Sequence, residues 1–208
     1  MSRKIVIVGA GGHAGVVVDA ALRAGLEIEA IYDDDTSLHG VERFGKTIDA
    51  MPEPTGVPAI VAIGSIRAGH RSKLTARLTG AGWSLATVIH PSAVIADTAT
   101  IGPGSFVGPG VVVNAGARVG TDVILNSRSL IEHDAIVGDH THVAPGALVL
   151  GDAQVGADTF VGAGSVIRQG ITVGDRVTVG AGAVVIGAVR DDLVVTGVPA
   201  RPLNRPIG

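Results

Sequence analysis

The strongest constraint on the fold is a six-residue period in the second part of the chain. From residue 89 to residue 185 an aliphatic residue recurs at every sixth position, seventeen times in succession without a gap. Glycine follows the aliphatic residue in eight of these hexapeptides, where it would suit bends. This period predicts short strands joined by bends, with three strands in each coil of about 18 residues. The aliphatic side chains would then fill the interior of a parallel β-helix.

The scarcity of aromatic residues agrees with a narrow interior. Of the 208 residues, 46% are hydrophobic, but only one Tyr, one Trp and three Phe are present. The core must therefore be built from Val, Ile, Leu and Ala, which pack in a prism too narrow for stacked rings. Small residues four positions after the aliphatic one, such as Ser105, Ala117 and Ala147, would let the wall turn each corner.

Residues 1–88 follow a different pattern, in which apolar runs alternate with helical stretches. The predicted elements are a strand at 4–8, a glycine-rich loop, a helix ending near Gly25, strands at 28–32 and 59–63, and a helix at 71–78. This order predicts a β-α-β unit within a small parallel sheet. We expect three parts: an α/β domain at 1–88, the β-helix at 89–190 and a C-terminal cap at 191–208.

The loop after the first strand carries a phosphate-binding pattern. Gly9-x-Gly11-x-x-Ala14 fits the dinucleotide fingerprint, and Asp33 follows at about the usual spacing of ~20 residues. The glycines would let a phosphate approach the first helix, and the acidic residues would face a ribose or a base. A dinucleotide domain needs two such halves, and residues 1–88 provide only one. A mononucleotide or nucleotide-linked sugar is therefore favoured over NAD, with a ligand-free turn as the alternative.

Composition argues against several other classes. The chain has no Cys, which excludes disulfide scaffolds and thiolate nucleophiles. Its net charge is −3 and no basic cluster indicates nucleic acid. No apolar run reaches the roughly 18 residues of a membrane span, and no cluster of ligands predicts a metal site. We expect a cytoplasmic protein that binds neither nucleic acid nor membrane.

The repeat resembles the hexapeptide-repeat acyltransferases, whose prisms are left-handed. The resemblance extends to the ending VVTGVPARP, at 194–202, which is similar to the cap of that family. VGAGGHAG, YDD and VAIG, followed by a prism carrying IEHD, resemble the sugar acetyltransferases that modify nucleotide-linked amino sugars or sialic acids. These include the bacillosamine and perosamine N-acetyltransferases. The resemblance implies a half-Rossmann-like α/β domain that binds a nucleotide sugar, followed by a left-handed β-helix.

The candidate catalytic residue is His133. Transfer of an acetyl group to an amine needs a base with a pKa near neutrality, and a carboxylate neighbour can fix the imidazole tautomer. Asp134 is the first candidate for that neighbour and Glu132 the second. By the period, Gly151 stacks one coil above His133, where its N–H could face a carbonyl. From the residues alone, an exposed corner histidine with no role is an equal alternative.

The resemblance assigns the roles. It implies that His133 is the general base, Asp134 its support and Gly151 the donor to the acetyl carbonyl. It places acetyl-CoA near His142, Gly151, Ala163 and Ala181, and the nucleotide sugar near Gly11, Gly12, His13, Asp33 and Asp34. It also implies a homotrimer with its sites between neighbouring chains.

The sequence thus supports an acetyl-CoA-dependent N-acetyltransferase of a nucleotide-linked 4-amino-4,6-dideoxy sugar in polysaccharide or glycan biosynthesis. One alternative is O-acetylation of a sialic acid or another sugar hydroxyl. Another is a non-catalytic scaffold that binds a nucleotide sugar. A dehydrogenase that uses the glycine loop is the least favoured.

Overall fold

The first part of the chain folds into a small α/β sheet. The computed structural model describes residues 4–64 and 69–203. The elements are β1 (Lys4–Val8), α1 (Gly12–Arg23), β2 (Glu27–Tyr32), a 3-10 turn (Thr36–Leu38), β3 (Glu42–Arg43), β4 (Lys46–Asp49), β5 (Ala59–Val61) and α2 (His70–Gly80). The strand order is β3-β4-β2-β1-β5, and all pairs except β3–β4 are parallel. The predicted parallel sheet is therefore present.

The antiparallel hairpin β3–β4 is an element of the sheet that the sequence did not predict. Phe44 and Gly45 form its two-residue turn, with positive φ angles of 53° and 73°. Only Ile48 of the two strands is buried, so the alternating apolar pattern of a typical strand is missing.

In neither described range is a helix long and apolar enough to cross a membrane.

Seventeen two-residue strands follow between Val88 and Val185, one for each hexapeptide. They are β6 (Val88–Ile89), β7 (Val94–Ile95), β8 (Thr100–Ile101), β9 (Phe106–Val107), β10 (Val112–Val113), β11 (Arg118–Val119), β12 (Ile124–Leu125), β13 (Leu130–Ile131), β14 (Ile136–Val137), β15 (His142–Val143), β16 (Leu148–Val149), β17 (Gln154–Val155), β18 (Phe160–Val161), β19 (Val166–Ile167), β20 (Thr172–Val173), β21 (Thr178–Val179) and β22 (Val184–Val185). Two further strands, β23 (Val194–Thr196) and β24 (Arg201–Pro202), come after them.

These strands form the three walls of a prism. The docked sheet contains β6, β9, β12, β15, β18 and β21, extended by β23 and β24. The aliphatic sheet contains β7, β10, β13, β16, β19 and β22, and the polar sheet contains β8, β11, β14, β17 and β20. From β6 to β19, each strand pairs in parallel with the strand 18 residues further on, as β13 does with β16. The architecture is the expected left-handed parallel β-helix.

The period explains the core. The second residue of each strand points inward, and Val107, Leu125, Val143 and Val161 are fully buried. The small residue at the predicted corner position is also buried, as at Ala147. Interior positions are therefore filled by aliphatic and small side chains, one layer per coil.

The glycines that directly follow the aliphatic residues of the prism do not form its bends. A glycine that directly follows the aliphatic residue allows close contact between coils, since a Cβ on Gly138 would lie 2.6 Å from the carbonyl carbon of Gly156. The left-handed backbone falls two residues later, at the third position after the aliphatic residue. Asp134 and His140 occupy that position with φ angles of 60° and 58°. The glycines after the aliphatic residues therefore mark tight packing, and the bend itself lies further along.

A buried ion pair fixes α2 to the prism. Arg71 on α2 is 3% exposed, and its Nε lies 3.1 Å from Oδ2 of Asp122. The same guanidinium donates to the backbone carbonyls of Asp122, His140 and Thr141. Thr75 also donates to Oδ2 of Asp122, at 2.9 Å. These bonds hold the α/β sheet in one position against the docked sheet.

Candidate active site

A cavity of about 560 Å³ opens beside the glycine loop. All five residues predicted for the nucleotide sugar line it, namely Gly11, Gly12, His13, Asp33 and Asp34. The cavity exists because β1 ends in a tight turn at Gly9, with φ of 107°, and leads directly into α1. A Cβ on Gly9 would lie 2.9 Å from the side chain of Ile63, so a larger residue would disturb this turn.

The N-terminus of α1 is open on the cavity side. Gly11 is the N-cap and provides no side-chain hydrogen bond, and the first turn contains no acidic residue. A Cβ built on Gly11 or Gly12 would meet nothing within 4 Å. An anionic group could therefore approach the free N–H groups and the positive end of the helix dipole.

The two predicted acidic residues have different surroundings. Asp33 accepts hydrogen bonds from the backbone N–H groups of Ala10, at 2.6 Å, and Asp35, at 2.9 Å, so it shapes the loop itself. Asp34 lies at the rim, where its Oδ2 is 2.6 Å from Nη2 of Arg77. Of the two acidic residues, Asp34 is thus the one whose carboxylate lies at the open rim of the cavity.

The opposite wall is a basic face of α2 that the sequence analysis missed. It consists of His70, Lys73, Leu74 and Arg77. Their spacing of three and four residues puts them on one side of the helix, which is a signal that the sequence does contain. Arg77 pairs with Asp34, whereas Lys73 has no acidic partner in the described part of the chain. The cavity therefore combines a helix N-terminus with positive side chains.

His13 extends from this cavity into the contact with the prism. Its ring and that of Phe106 form a T-shaped pair with centroids 5.2 Å apart, and it lies 6.4 Å from the ring of His142. Burial, with a smaller contribution from the Arg71 charge, lowers the pKa of His13 to about 4. His13 is therefore neutral near pH 7 and can offer a hydrogen bond, but no charge.

His142 lies on the docked sheet and not in the cleft of His133. Burial, with smaller contributions from the charges of Arg71 and His13, lowers the pKa of His142 to about 3. Its ring contacts the edge of Phe160, and Nε2 lies 3.3 Å from Nδ2 of Asn126. Within one chain, the structure thus separates His142 from His133 and Gly151.

A second and smaller cleft, of about 230 Å³, brings together His133 and Gly151. Asp152, Gln169 and Gly170 complete its lining. His133 lies in the turn after β13, and Gly151 lies in the turn after β16, one coil further along. The stacking predicted from the 18-residue spacing is therefore present.

The surroundings of His133 distinguish its two acidic neighbours. Nδ1 of His133 lies 3.0 Å from Oδ2 of Asp134, whereas Oε2 of Glu132 accepts the backbone N–H of His133 at 3.2 Å. An Nδ1–H that donates to Asp134 leaves the lone pair on Nε2. The hydrogen bond to Asp134, then the charges of Asp134, Glu132 and Asp152, raise the pKa of His133 above its usual value. Asp134 is the neighbour that contacts the ring.

The backbone N–H of Gly151 is a hydrogen-bond donor that complements the proton acceptor Nε2 of His133. A Cβ on Gly151 would lie 2.6 Å from Nε2 of His133, so the imidazole occupies the space that a side chain would need. The Gly151 N–H has no acceptor in the described part of the chain. A proton acceptor and a free N–H donor thus lie side by side in the cleft.

The other two backbone positions predicted for acetyl-CoA also have unpaired donors. Ala163 and Ala181 stack one coil apart at the turns after β18 and β21, and neither N–H has an acceptor among the described residues. These turns and the His133 turn flank opposite edges of the aliphatic sheet.

No group of three or more His, Cys, Asp or Glu residues is placed to hold a metal ion in ranges 4–64 and 69–203.

Comparison with known proteins places this geometry in a family. The PglD N-terminal domain family matches residues 4–78, and the bacterial transferase hexapeptide family matches residues 152–187. The chain is 33% identical to the acetyltransferase domain of PglB from Neisseria gonorrhoeae FA1090, solved in complex with acetyl coenzyme A. The match covers 98% of this chain and 100% of that domain, with a TM-score of 0.89. The chain belongs to the hexapeptide-repeat sugar acetyltransferases.

Two further structures agree with the assignment to this family. A mutant of perosamine N-acetyltransferase from Caulobacter crescentus, in complex with CoA and GDP-perosamine, is 32% identical over 97% of each chain, with a TM-score of 0.89. WeeI from Acinetobacter baumannii AYE is 27% identical over 96% of this chain and 99% of that one, with a TM-score of 0.86. The protein is an acetyl-CoA-dependent sugar acetyltransferase, as the sequence predicted.

Proposed function

We propose that this acetyltransferase acetylates the 4-amino group of a nucleotide-linked 4-amino-4,6-dideoxy sugar. In the proposed step, Nε2 of His133 accepts a proton from the amine as the amine attacks the thioester carbonyl and forms the C–N bond. The tetrahedral intermediate then breaks its C–S bond, and the CoA thiolate leaves with the proton from His133. Asp134 holds the other ring nitrogen, and the Gly151 N–H donates to the developing oxyanion. The observation that carries the proposal is that Nε2 of His133 occupies the space beside Gly151 where a Cβ would lie, within one cleft.

The preference for an amine over a hydroxyl rests on the relatives. The Caulobacter enzyme is a perosamine N-acetyltransferase whose structure contains GDP-perosamine. The cavity beside the glycine loop suits such a substrate, because Gly11 and Gly12 leave space at a helix N-terminus and Lys73 faces it. A nucleotide diphosphate would meet positive groups on both walls.

The proposal includes a homotrimer. The outward residues of the aliphatic sheet are all apolar, whereas the polar sheet presents Thr100, Arg118, Ile136, Gln154 and Thr172. The apolar set is Val94, Val112, Leu130, Leu148, Val166 and Val184. Packing that wall against a neighbouring chain would bury apolar surface, and a ring of three chains would close the contact.

A trimer would also complete the active site. The cavity and the His133 cleft share no lining residue within one chain. In the proposed assembly, residues 1–88 of one chain deliver the nucleotide sugar and the prism at 89–190 of a neighbour supplies His133. The prism edge with Ala163 and Ala181 would then border the same cleft and hold acetyl-CoA. Of the cap predicted at 191–208, the described residues 191–203 would close the end of the prism.

The test combines acceptor screening with one variant. Purified protein and acetyl-CoA are incubated with UDP-, GDP- and CMP-linked 4-amino sugars, and thiol release and product mass are measured. His133→Asn should reduce turnover by about 10²- to 10⁴-fold, which is the usual contribution of a general base, while light scattering still shows a trimer. His90→Gln is the matched control, since among the described residues the His90 ring forms hydrogen bonds to Ser92 alone. An alkali-labile ester product would contradict N-acetylation, and full turnover in His133→Asn would contradict the base.

A further inference from the structure

Gly116 lies one coil below Asp134, in the turn after β10. A Cβ built on Gly116 would be 2.5 Å from Oδ1 of Asp134 and 3.4 Å from its Cγ. The carboxylate that holds His133 therefore occupies the space that any side chain at position 116 would need. Oδ1 faces the glycine while Oδ2 faces Nδ1 of His133.

The backbone conformation alone does not require glycine at this turn position. Gly116 has a φ of 73°, but Asp122, Arg128 and Asp152 occupy the equivalent position of other hexapeptides with φ angles of 51°, 58° and 57°. Gly146 is a glycine in the same conformation, with φ of 67°, and its Cβ would meet nothing within 4 Å. The steric demand at Gly116 comes from the carboxylate of the next coil.

We propose that Gly116 is a positioning residue for the acetyl transfer, because its missing side chain lets the Asp134 carboxylate lie where it holds His133. This inference rests on the proposed role of His133 as the base. The backbone of Asp134 is itself fixed, by its left-handed φ of 60° and by its N–H donating to the carbonyl of Ala115 at 3.0 Å. An added methyl group would therefore be accommodated by rotation of the carboxylate.

Rotation of that carboxylate would release the imidazole. The His133 side chain is 63% exposed, and in the described part of the chain its ring has no hydrogen bond other than the one to Asp134. The charged groups that act on the ring are Asp134, Glu132 and Asp152. Only the Asp134 bond would be lost, so both the ring orientation and the protonation of His133 would change.

The experiment compares Gly116→Ala with Gly146→Ala, which introduces the same methyl group in the same backbone conformation. Gly116→Ala should lower kcat roughly 10- to 100-fold, because displacement of a reacting group by about 1 Å can cost about 100-fold. The KM values of both substrates should stay unchanged, and the acid limb of the pH profile should move to lower pH. Gly146→Ala should change none of these.

Two measurements separate a positioning role from a folding defect. In an Asp134→Ala background, Gly116→Ala should cause no further loss of kcat, because the carboxylate is already absent. An NMR titration of His133 in the full chain should show a lower pKa in Gly116→Ala and an unchanged one in Gly146→Ala.

Unchanged kcat and pH profile in Gly116→Ala, with His133→Asn inactive, would overturn this inference and leave the proposed function intact. An equal loss of kcat with and without Asp134 would also overturn it. Full turnover in His133→Asn would overturn the proposed function and this inference together.

Discussion

Gly151 lies so close to His133 that a Cβ at position 151 would stand 2.6 Å from Nε2 of the imidazole. On the other side of the ring, Nδ1 is held by Asp134. The ring is therefore confined between the carboxylate of its own turn and the backbone of the next coil.

Gly151→Ala should reduce kcat by about 100-fold, since the new methyl group would displace the imidazole. Gly151 does not have a positive φ, so the substitution adds no backbone strain and the melting temperature should change little. Gly187→Ala is the control, because its Cβ would meet nothing within 4 Å. Steady-state kinetics that show full kcat in Gly151→Ala would contradict the close packing of His133 in the active enzyme.

The pH dependence of kcat/KM should report the Asp134 bond. His133 accepts a proton only when neutral, so activity should rise as the pH passes its pKa. The Asp134 hydrogen bond raises that pKa, so Asp134→Asn should shift the acid limb to lower pH and reduce the plateau. Asp139→Asn, at a different corner, should leave the position of the limb unchanged. An unshifted limb in Asp134→Asn would show that another group controls it.

Lys73→Met should raise the KM for the nucleotide sugar by roughly tenfold or more, since a hydrogen bond to a charged group contributes about 1.5–3 kcal/mol. Its KM for acetyl-CoA should stay constant. Arg23→Met, an exposed charge change on α1 away from the cavity, should leave both constants unchanged. A parallel rise in both KM values would argue against a specific phosphate contact at Lys73.

Asp122→Ala should destabilise the fold by about 3–5 kcal/mol, because it leaves the Arg71 guanidinium buried without its carboxylate. Urea unfolding provides the measurement. Asp19→Ala removes an exposed pair with Arg23 and should cost only a few tenths, up to about 0.5 kcal/mol. Equal effects of the two substitutions would mean that the Arg71 pair does not hold the α/β sheet on the prism.

Much of the fold could be predicted because its strongest signal is local and repeated. From β6 to β19, each strand pairs with the strand 18 residues further on, so one hexapeptide pattern specifies both the register and the inward residues. The hairpin β3–β4 was missed because its strands are short and mostly exposed. Its pairing depends on the neighbouring strand β2, which the pattern of these residues does not reveal.

For the candidate site, the spacing of residues predicted which of them stack, but not the direction of their side chains. The spacing that relates Gly151 to His133 also relates Gly116 to Asp134, but spacing does not show that the Asp134 carboxylate turns toward the glycine. The basic face of α2 has a clear helical spacing, yet nothing in the sequence indicates that it faces the glycine loop.

The sequence by itself determined the prism, its inward side chains and the stacking of His133 under Gly151, because a fixed period fixes which residues lie one coil apart. The tertiary structure decided how the two parts of the chain meet. It brought His13 near His142 and buried Arg71 against Asp122. These contacts join residues far apart in sequence, and they depend on how one packed surface sits on another, which no local spacing specifies.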